Sequence, residues 1–194
     1  MSSKKNYWAL ILAAGTSSRL GRPKQLVTFR DKYLVNHIAD ICLSAGLDSV
    51  CCVLGHRADE IGRTLKSDVR QIFNPDYKEG MGTSLACGIQ EIEKSDAGAV
   101  VVLLVDQYLL EANILKTLID CHRTGDEIVA CRYDNLSYGP PALFDRKDFH
   151  ELSQLSGDTG AKGILEHYRG KARFIHFPKG KNDIDHPEDL GKLI

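Results

Sequence analysis

Short apolar runs, each the length of one strand and each followed by a stretch with helical spacing, recur along this chain. That alternation restricts its fold more than any other feature. Residues 8–12, 49–54 and 99–105 are apolar almost without interruption, and 69–73 reads as a short further strand. Strands of this kind are covered on both faces, as in parallel sheets sandwiched between helices. Helical periodicity is predicted over 33–44, with Leu34, Ile38, Ile41 and Cys42 inward, and then over 58–65, 82–93, 111–121 and 160–168. Gly46 is placed to end the first of these, because a left-handed C-cap favours glycine. Further strands are predicted at 127–132, 141–144 and 173–177, and the final segment, 183–194, reads as a loop closing in a short helix. Strands alternating with helices imply an α/β fold with one doubly wound, mostly parallel sheet.

The 194 residues suit a single domain, 1–194. A formal net charge of −1 argues against a general nucleic-acid or membrane-surface binder, both of which call for a basic excess. It leaves room for a local basic pocket. Cys42, Cys51, Cys52, Cys87, Cys121 and Cys131 form no C-x-x-C pair and sit mostly in apolar runs, which points to reduced, buried thiols rather than zinc or disulfides. The apolar run behind the polar N-terminus is too short for a signal peptide, and no stretch approaches bilayer-spanning length. A cytoplasmic location is expected.

The first strand runs directly into Leu12-Ala13-Ala14-Gly15-Thr16-Ser17-Ser18-Arg19-Leu20-Gly21-Arg22-Pro23-Lys24. Small residues after a buried strand let a backbone approach a ligand closely, and successive amides in such a turn cradle phosphate oxygens. Ser17 and Ser18 add hydroxyls. Arg19 offers a bidentate fork and Lys24 a point charge. Neither G-x-x-x-x-G-K-[ST] nor G-x-G-x-x-G occurs, which disfavours P-loop ATPase and dehydrogenase readings. Residues 74–85 form a turn that opens a helix, where Gly82, Thr83 and Ser84 suit an anion or a base edge; a plain capped helix reads equally well. Asp106 follows the central strand, where open α/β sheets bind ligands, and is a natural Mg²⁺ ligand or a helix cap. Asp183 and Asp185 occupy alternate positions of an extended segment and point the same way.

These motifs, in this order, resemble those of the MobA-like nucleotidyltransferases, and most closely the molybdenum cofactor cytidylyltransferases. The first loop is similar to L-A-A-G-x-[ST]-x-R-[ML]-G-x-x-K, and residues 74–88 to N-P-x-[WY]-x-x-G-x-x-[ST]-S-[LI]-x-x-G. Val105-Asp106-Gln107-Tyr108 stands for G-D-[QM]-P, with Tyr108 replacing the proline. Residues 139–144, 155–162 and 183–190 resemble G-x-P-x-L-[FI], L-x-G-D-x-G-A-[RK] and D-I-D-T-P-E-D-L, with His186 in place of Thr. The likeness runs from Ala9 to Leu190.

The resemblance implies a Rossmann-like sheet of the nucleotide-diphospho-sugar transferase type. A nucleotide-binding part is implied at about 7–110 and an acceptor-binding part at about 111–194. It implies that Leu12, Ala13, Ala14, Gly15, Ser17, Ser18, Arg19, Lys24, Gly82 and Ser84 bind the nucleotide. Arg19, Lys24 and Asp106 are catalytic on this view, and Asp106 and Asp185 hold Mg²⁺, with Mn²⁺ as an alternative. Asp158 and Lys162 face a molybdopterin-type acceptor. Ala13-Ala14-Gly15 favours CTP over GTP. The expected reaction transfers CMP to the acceptor, with handover to a molybdoenzyme chaperone. Alternatives are a related transferase using GTP or a sugar or polyol phosphate, and a non-catalytic nucleotide-binding handover protein, to which Tyr108 and His186 would fit. The departure at Tyr108 implies a looser loop and a reshaped pocket.

Overall fold

The computed structural model describes residues 5–125, 128–158, 163, 165, 166, 170 and 172–193. Its elements follow in chain order: β1 (Tyr7–Ala13), β2 (Thr28–Phe29), β3 (Lys32–Tyr33), α1 (Leu34–Ser44), β4 (Ser49–Leu54), α2 (Ala58–Gly62), β5 (Val69–Phe73), α3 (Met81–Glu93), β6 (Ala99–Leu104), α4 (Ala112–Arg123), β7 (Ile128–Arg132), β8 (Tyr138–Asp145), α5 (Phe149–Leu152) and β9 (Ala172–His176). Short 3-10 turns link several of them. The expected helix over 160–168 lies largely outside the described residues.

Seven strands form one sheet in the order β5-β4-β1-β6-β8-β7-β9, in which β8 alone runs antiparallel to its neighbours. The apolar runs are buried on both sides. Tyr7, Ala9, Ile11 and Ala13 of β1 join one core with residues of α1 and α4, while Trp8, Leu10 and Leu12 join a second core with Leu85, Ile89 and Ile92 of α3 and Phe149 of α5. The period-2 alternation of a strand therefore sorts a continuous apolar run into two cores. The chain winds outward from β1 to β4 and β5, then returns to place β6 on the other side of β1. That reversal opens a crevice beyond the carboxyl ends of β1 and β6, the usual ligand site of such sheets.

Three departures from the expected elements have local causes. A hairpin joins β2 and β3 through Arg30 and Asp31, both left-handed at φ 50° and 61°. Turns of this type normally advertise themselves by Asn-Gly or Asp-Gly, and Arg-Asp does not. α2 stops at Gly62 because Gln71 Nε2 takes the Gly62 carbonyl at 3.0 Å and the next residues tighten into i→i−3 bonds. β8 is longer than 141–144 although it contains Pro140 and Pro141. Pairing with β7 skips from Ala130 opposite Ala142 to Cys131 opposite Gly139, so the prolines fall in a bulge and no ladder bond is asked of them.

All six cysteines are free thiols. Cys42, Cys51, Cys52 and Cys131 are buried, and burial pushes the Cys51 thiol up to about 11. Among the described residues no helix is long and apolar enough to cross a membrane.

α3 lies close against the sheet because Gly88 has no side chain. A Cβ there would stand 2.7 Å from both Leu10 methyls and 2.9 Å from Val53 Cγ2. Overpacking of this kind costs about 1–3 kcal/mol, so Gly88→Val is expected to lower unfolding free energy by that amount in a urea titration.

Candidate active site

The loop after β1 is built mainly from its own main chain. Ser17 is left-handed at φ 52°, and its carbonyl accepts from the amides of Leu20 and Gly21 at 3.1 Å. Its hydroxyl accepts from the Lys24 amide at 3.1 Å, so Ser17 fixes the lysine as well as facing the cleft. The three carbonyls at the strand exit all point to protein donors. Gln25 Nε2 donates to Ala13 O at 2.7 Å and Gly15 O at 3.1 Å, and the His56 amide donates to Ala14 O at 3.0 Å. Among the described residues no group accepts from the amides of Thr16, Ser17 or Ser18. Free amides with the carbonyls held back suit an anion. Gln25, 1% exposed, was not singled out by motif reading. Its signal was a lone amide side chain between Lys24 and the apolar Leu26-Val27.

Lys24, Asp106 and Asp185 meet at one end of the crevice. Lys24 Nζ donates to Asp106 Oδ2 at 2.8 Å and to Asp185 Oδ1 at 2.7 Å, while an Arg19 terminal nitrogen lies 2.9 Å from Asp185 Oδ2. Burial pulls the Lys24 pKa down, but the two carboxylates outweigh it and leave it above the ordinary lysine value. The Lys24 hydrogen bond holds Asp185 below the usual carboxylate range. Asp183 is raised, first by partial desolvation and then by Asp106 and Asp185. Ile184 between Asp183 and Asp185 is fully buried, as the alternation required. Asp189, also missed in the sequence, accepts from the amides of Asp185 and His186 at 3.0 and 2.8 Å and fixes the carboxylate segment.

The turn after Asp106 is more firmly held than its missing proline suggested. Tyr108 is 4% exposed and packs edge-on against Phe29, with centroids 5.2 Å apart, on the core side rather than in the cleft wall. Its carbonyl is 3.0 Å from His37 Nε2. Buried Gln107 donates to Pro140 O at 2.7 Å, and to Tyr133 Oη and Gly180 O, each at 3.1 Å. The expected loosening and reshaping of the pocket by Tyr108 are therefore corrected: its ring fills the core and the turn is pinned on both sides.

On the opposite wall, Gly80 has φ 120°, and a Cβ on it would lie 2.2 Å from the Gly157 carbonyl. The Gly82 amide donates to that same carbonyl at 2.8 Å. This amide, read from sequence as open to a ligand, is thus committed to the turn at 157–158. Ser84 does line the cleft, and its hydroxyl accepts from Asn74 Nδ2 at 3.0 Å. Asp158 lines the cleft, whereas Lys162 lies outside the described residues. Tyr77, Lys78 and Met81 complete this wall. The cleft encloses about 430 Å³ and also takes in Leu12, Ala13, Ala14, Gly15, Ser17, Ser18, Arg19, Lys24, Asp106 and Asp185. That volume falls within the range of small-molecule sites.

The model of the MobA-like NTP transferase domain matches residues 9–172. The chain belongs to this family. This MobA-like transferase is 33% identical over 165 residues to the nicotine blue oxidoreductase of Paenarthrobacter nicotinovorans, covering 80% of this chain and 79% of that protein. It is 32% identical to the bifunctional protein GlmU of Clostridioides difficile over 60% of its own length, and spans about a quarter of that relative (25%). The crystal structure of Rv0371c from Mycobacterium tuberculosis superposes with a TM-score of 0.84 at 28% identity, covering 98% of each chain. The same protein in complex with manganese superposes at 0.78, with 27% identity over 97% of each chain.

The site of this MobA-like transferase gathers repelling carboxylates, and the sign of the cost is testable. Because the folded pKa of Asp183 is raised, the native state binds more protons than the unfolded chain between the two values. Its contribution to stability is therefore lost as pH rises through that window. Asp183→Asn is expected to be more stable than the parent at pH 7, by at most about 1 kcal/mol after solvent screening. The difference should vanish below about pH 4 and shrink in high salt, as read from thermal melts across pH.

Proposed function

We propose that this chain is a divalent-metal-dependent nucleotidyltransferase that moves CMP from CTP to a phosphorylated, molybdopterin-type acceptor with release of pyrophosphate. The convergence of Arg19 and Lys24 with Asp106 and Asp185 at the end of a phosphate-shaped loop carries this reading. The carboxylates fit a hard cation. Asp106 Oδ1 is buried and meets no hydrogen-bond partner among the described residues. Among the described residues no group of three or more His, Cys, Asp or Glu is placed to hold a metal ion. Two carboxylates completed by phosphate and water oxygens is the pattern of Mg²⁺ in phosphoryl-transfer sites rather than of an all-protein cage. Asp106 and Asp185 would hold the ion, which when bound offsets charge on the α-phosphate. The manganese complex of the mycobacterial relative supports a divalent ion, Mg²⁺ or Mn²⁺.

An acceptor phosphate oxygen attacks the α-phosphorus in line as the bond to the bridging oxygen breaks and pyrophosphate departs. The amides of residues 15–18, Arg19 and Lys24 hold the β- and γ-phosphates and stabilise charge as it builds on the leaving group. No general base is required, since a phosphate nucleophile is already ionised near neutral pH. Ser84 and the wall formed by Tyr77 and Met81 border the base and ribose, and Asp158 faces the acceptor, a role that the motif assigns to Lys162 as well. Ala13-Ala14-Gly15 favours CTP over GTP. A soluble transferase of this kind hands its product to a molybdoenzyme chaperone in the cytoplasm. The name of the Paenarthrobacter relative supports a second reading, an oxidoreductase on the same fold.

Thermal stabilisation with Mg²⁺ and CTP, GTP, ATP, UTP or NADPH separates these readings, because a ligand raises stability by mass action. The expected outcome is a shift with CTP that is lost in Asp106→Ala. A GTP or ATP preference moves the substrate within the family, a shift with NADPH alone favours the oxidoreductase, and no shift with any nucleotide rejects transfer. Arg19→Ala is expected to slow pyrophosphate release by about 10²–10³-fold; near-normal turnover would remove Arg19 from the mechanism.

A further inference from the structure

One ammonium group spans the two carboxylates assigned above to a divalent cation. Lys24 Nζ takes Asp106 Oδ2 and Asp185 Oδ1 at 2.8 and 2.7 Å, Arg19 takes the other Asp185 oxygen, and Asp106 Oδ1 is left buried and without a partner among the described residues. The lysine side chain is 15% exposed, so it is not a loose surface cation resting there in passing. Its amide is anchored by Ser17, while the four-carbon stem beyond is intrinsically flexible and is held at its tip by the two carboxylates.

Charge counting shows what this arrangement does. Arg19, Lys24, Asp106 and Asp185 together are formally neutral, and nearby Asp183, outside the Lys24 ion pairs, adds one negative charge. A free divalent ion arriving at these oxygens would add two positive charges beside an ammonium that uses the same two atoms. In a half-buried site that repulsion is screened far less than in water. A triphosphate changes the balance. It offers Lys24 a more highly charged set of acceptors across the cleft, and as the lysine swings to them both carboxylate oxygens become available. Metal coordination at about 2.0–2.1 Å for Mg²⁺ then meets no competing ammonium.

Building on the nucleotidyltransferase reading, we propose that Lys24 is a resident counter-ion exchanged for metal when the triphosphate arrives, so that the site's ligand is a metal–nucleoside triphosphate complex and free metal alone binds poorly. Lys24 thereby has two successive partners, the carboxylate pair in the empty site and the phosphates in the filled one. The proposal makes an unusual demand. Removing this positive charge must weaken nucleotide binding and strengthen binding of free metal.

The test is Mn²⁺ binding without nucleotide, followed by the loss of the free-ion electron paramagnetic resonance signal, on the full chain, Lys24→Met and Lys24→Met/Asp106→Asn. Circular dichroism confirms folding of each. Lys24→Met is expected to bind Mn²⁺ at least about tenfold more tightly than the parent, to gain more thermal stability from Mn²⁺, and to lose that gain in the double variant. Equal or weaker Mn²⁺ binding by Lys24→Met, including no measurable binding by either protein, overturns the proposal. So does a gain that survives Asp106→Asn, since it would then arise elsewhere. If Lys24→Met fails to fold, Lys24→Gln serves, with the same expected direction. The metal titration uses no nucleotide, so its failure is separate from failure of the transferase reading, which shows as absent nucleotide stabilisation in the parent.

Discussion

The contact on which the rest of the site depends is the pair of ion pairs made by Lys24. It joins a loop that leaves β1, a carboxylate at the end of β6 and a segment close to the C-terminus, positions 82 and 161 residues apart from the lysine. Apart from a single 3-10 turn at Lys24–Leu26, none of the three is held there by its own secondary structure. The β1 loop is set by Ser17 and Gln25, the Asp106 turn by Gln107 and the His37–Tyr108 contact, and the Asp185 segment by Asp189. Each support is a buried or half-buried polar side chain satisfied mainly by backbone groups, so the charged atoms are placed on rigid parts while remaining exchangeable themselves.

Much of this was readable in advance, and the reasons differ by residue. The parallel sheet could be read because runs such as 99–105 must be covered on both faces, and the position of Asp106 followed from where that run stops. Arg19, Lys24 and Asp185 came from motif spacing, and the structure brings them together. What stayed hidden was of another kind. Gln25 and Asp189 act through backbone groups, and their residue types in a polar stretch carry no periodic signature. The β2–β3 hairpin turns on two left-handed residues that are neither glycine nor asparagine. Gly82 looked available because a helix N-terminus ordinarily has free amides; only the fold shows that Gly157 has taken one of them. Tyr108 could not be oriented without knowing that Phe29 lies beneath it.

The carboxylate cluster also illustrates a conflict between stability and use. Asp183 adds a third negative charge near Asp106 and Asp185, and among the described residues the cation that eases it is Lys24, already shared by the other two. Two of the positive groups in reach, Arg19 and Lys24, are those that a phosphate ligand would draw away. A site arranged in this way is more repulsive at the moment its cations turn to a ligand than when it is empty. On the proposed function an incoming metal complex would relieve that repulsion, and sites that store charge for function commonly give up some stability to do so.

The bond from the Gly82 amide to the Gly157 carbonyl has a consequence of a different order. Within this one wall the turn that opens α3 is latched to the turn at 157–158 by a main-chain bond, and the steric demand of the latch falls on Gly80, where no Cβ fits. A side chain beside it such as Met81 can therefore be exchanged without undoing the joint, whereas Thr83, whose hydroxyl donates to the Gly80 and Asp76 carbonyls, is part of the turn. The side chains lining this wall can change while the backbone that carries them keeps its geometry, so the chemistry facing the cleft can diversify faster than the architecture.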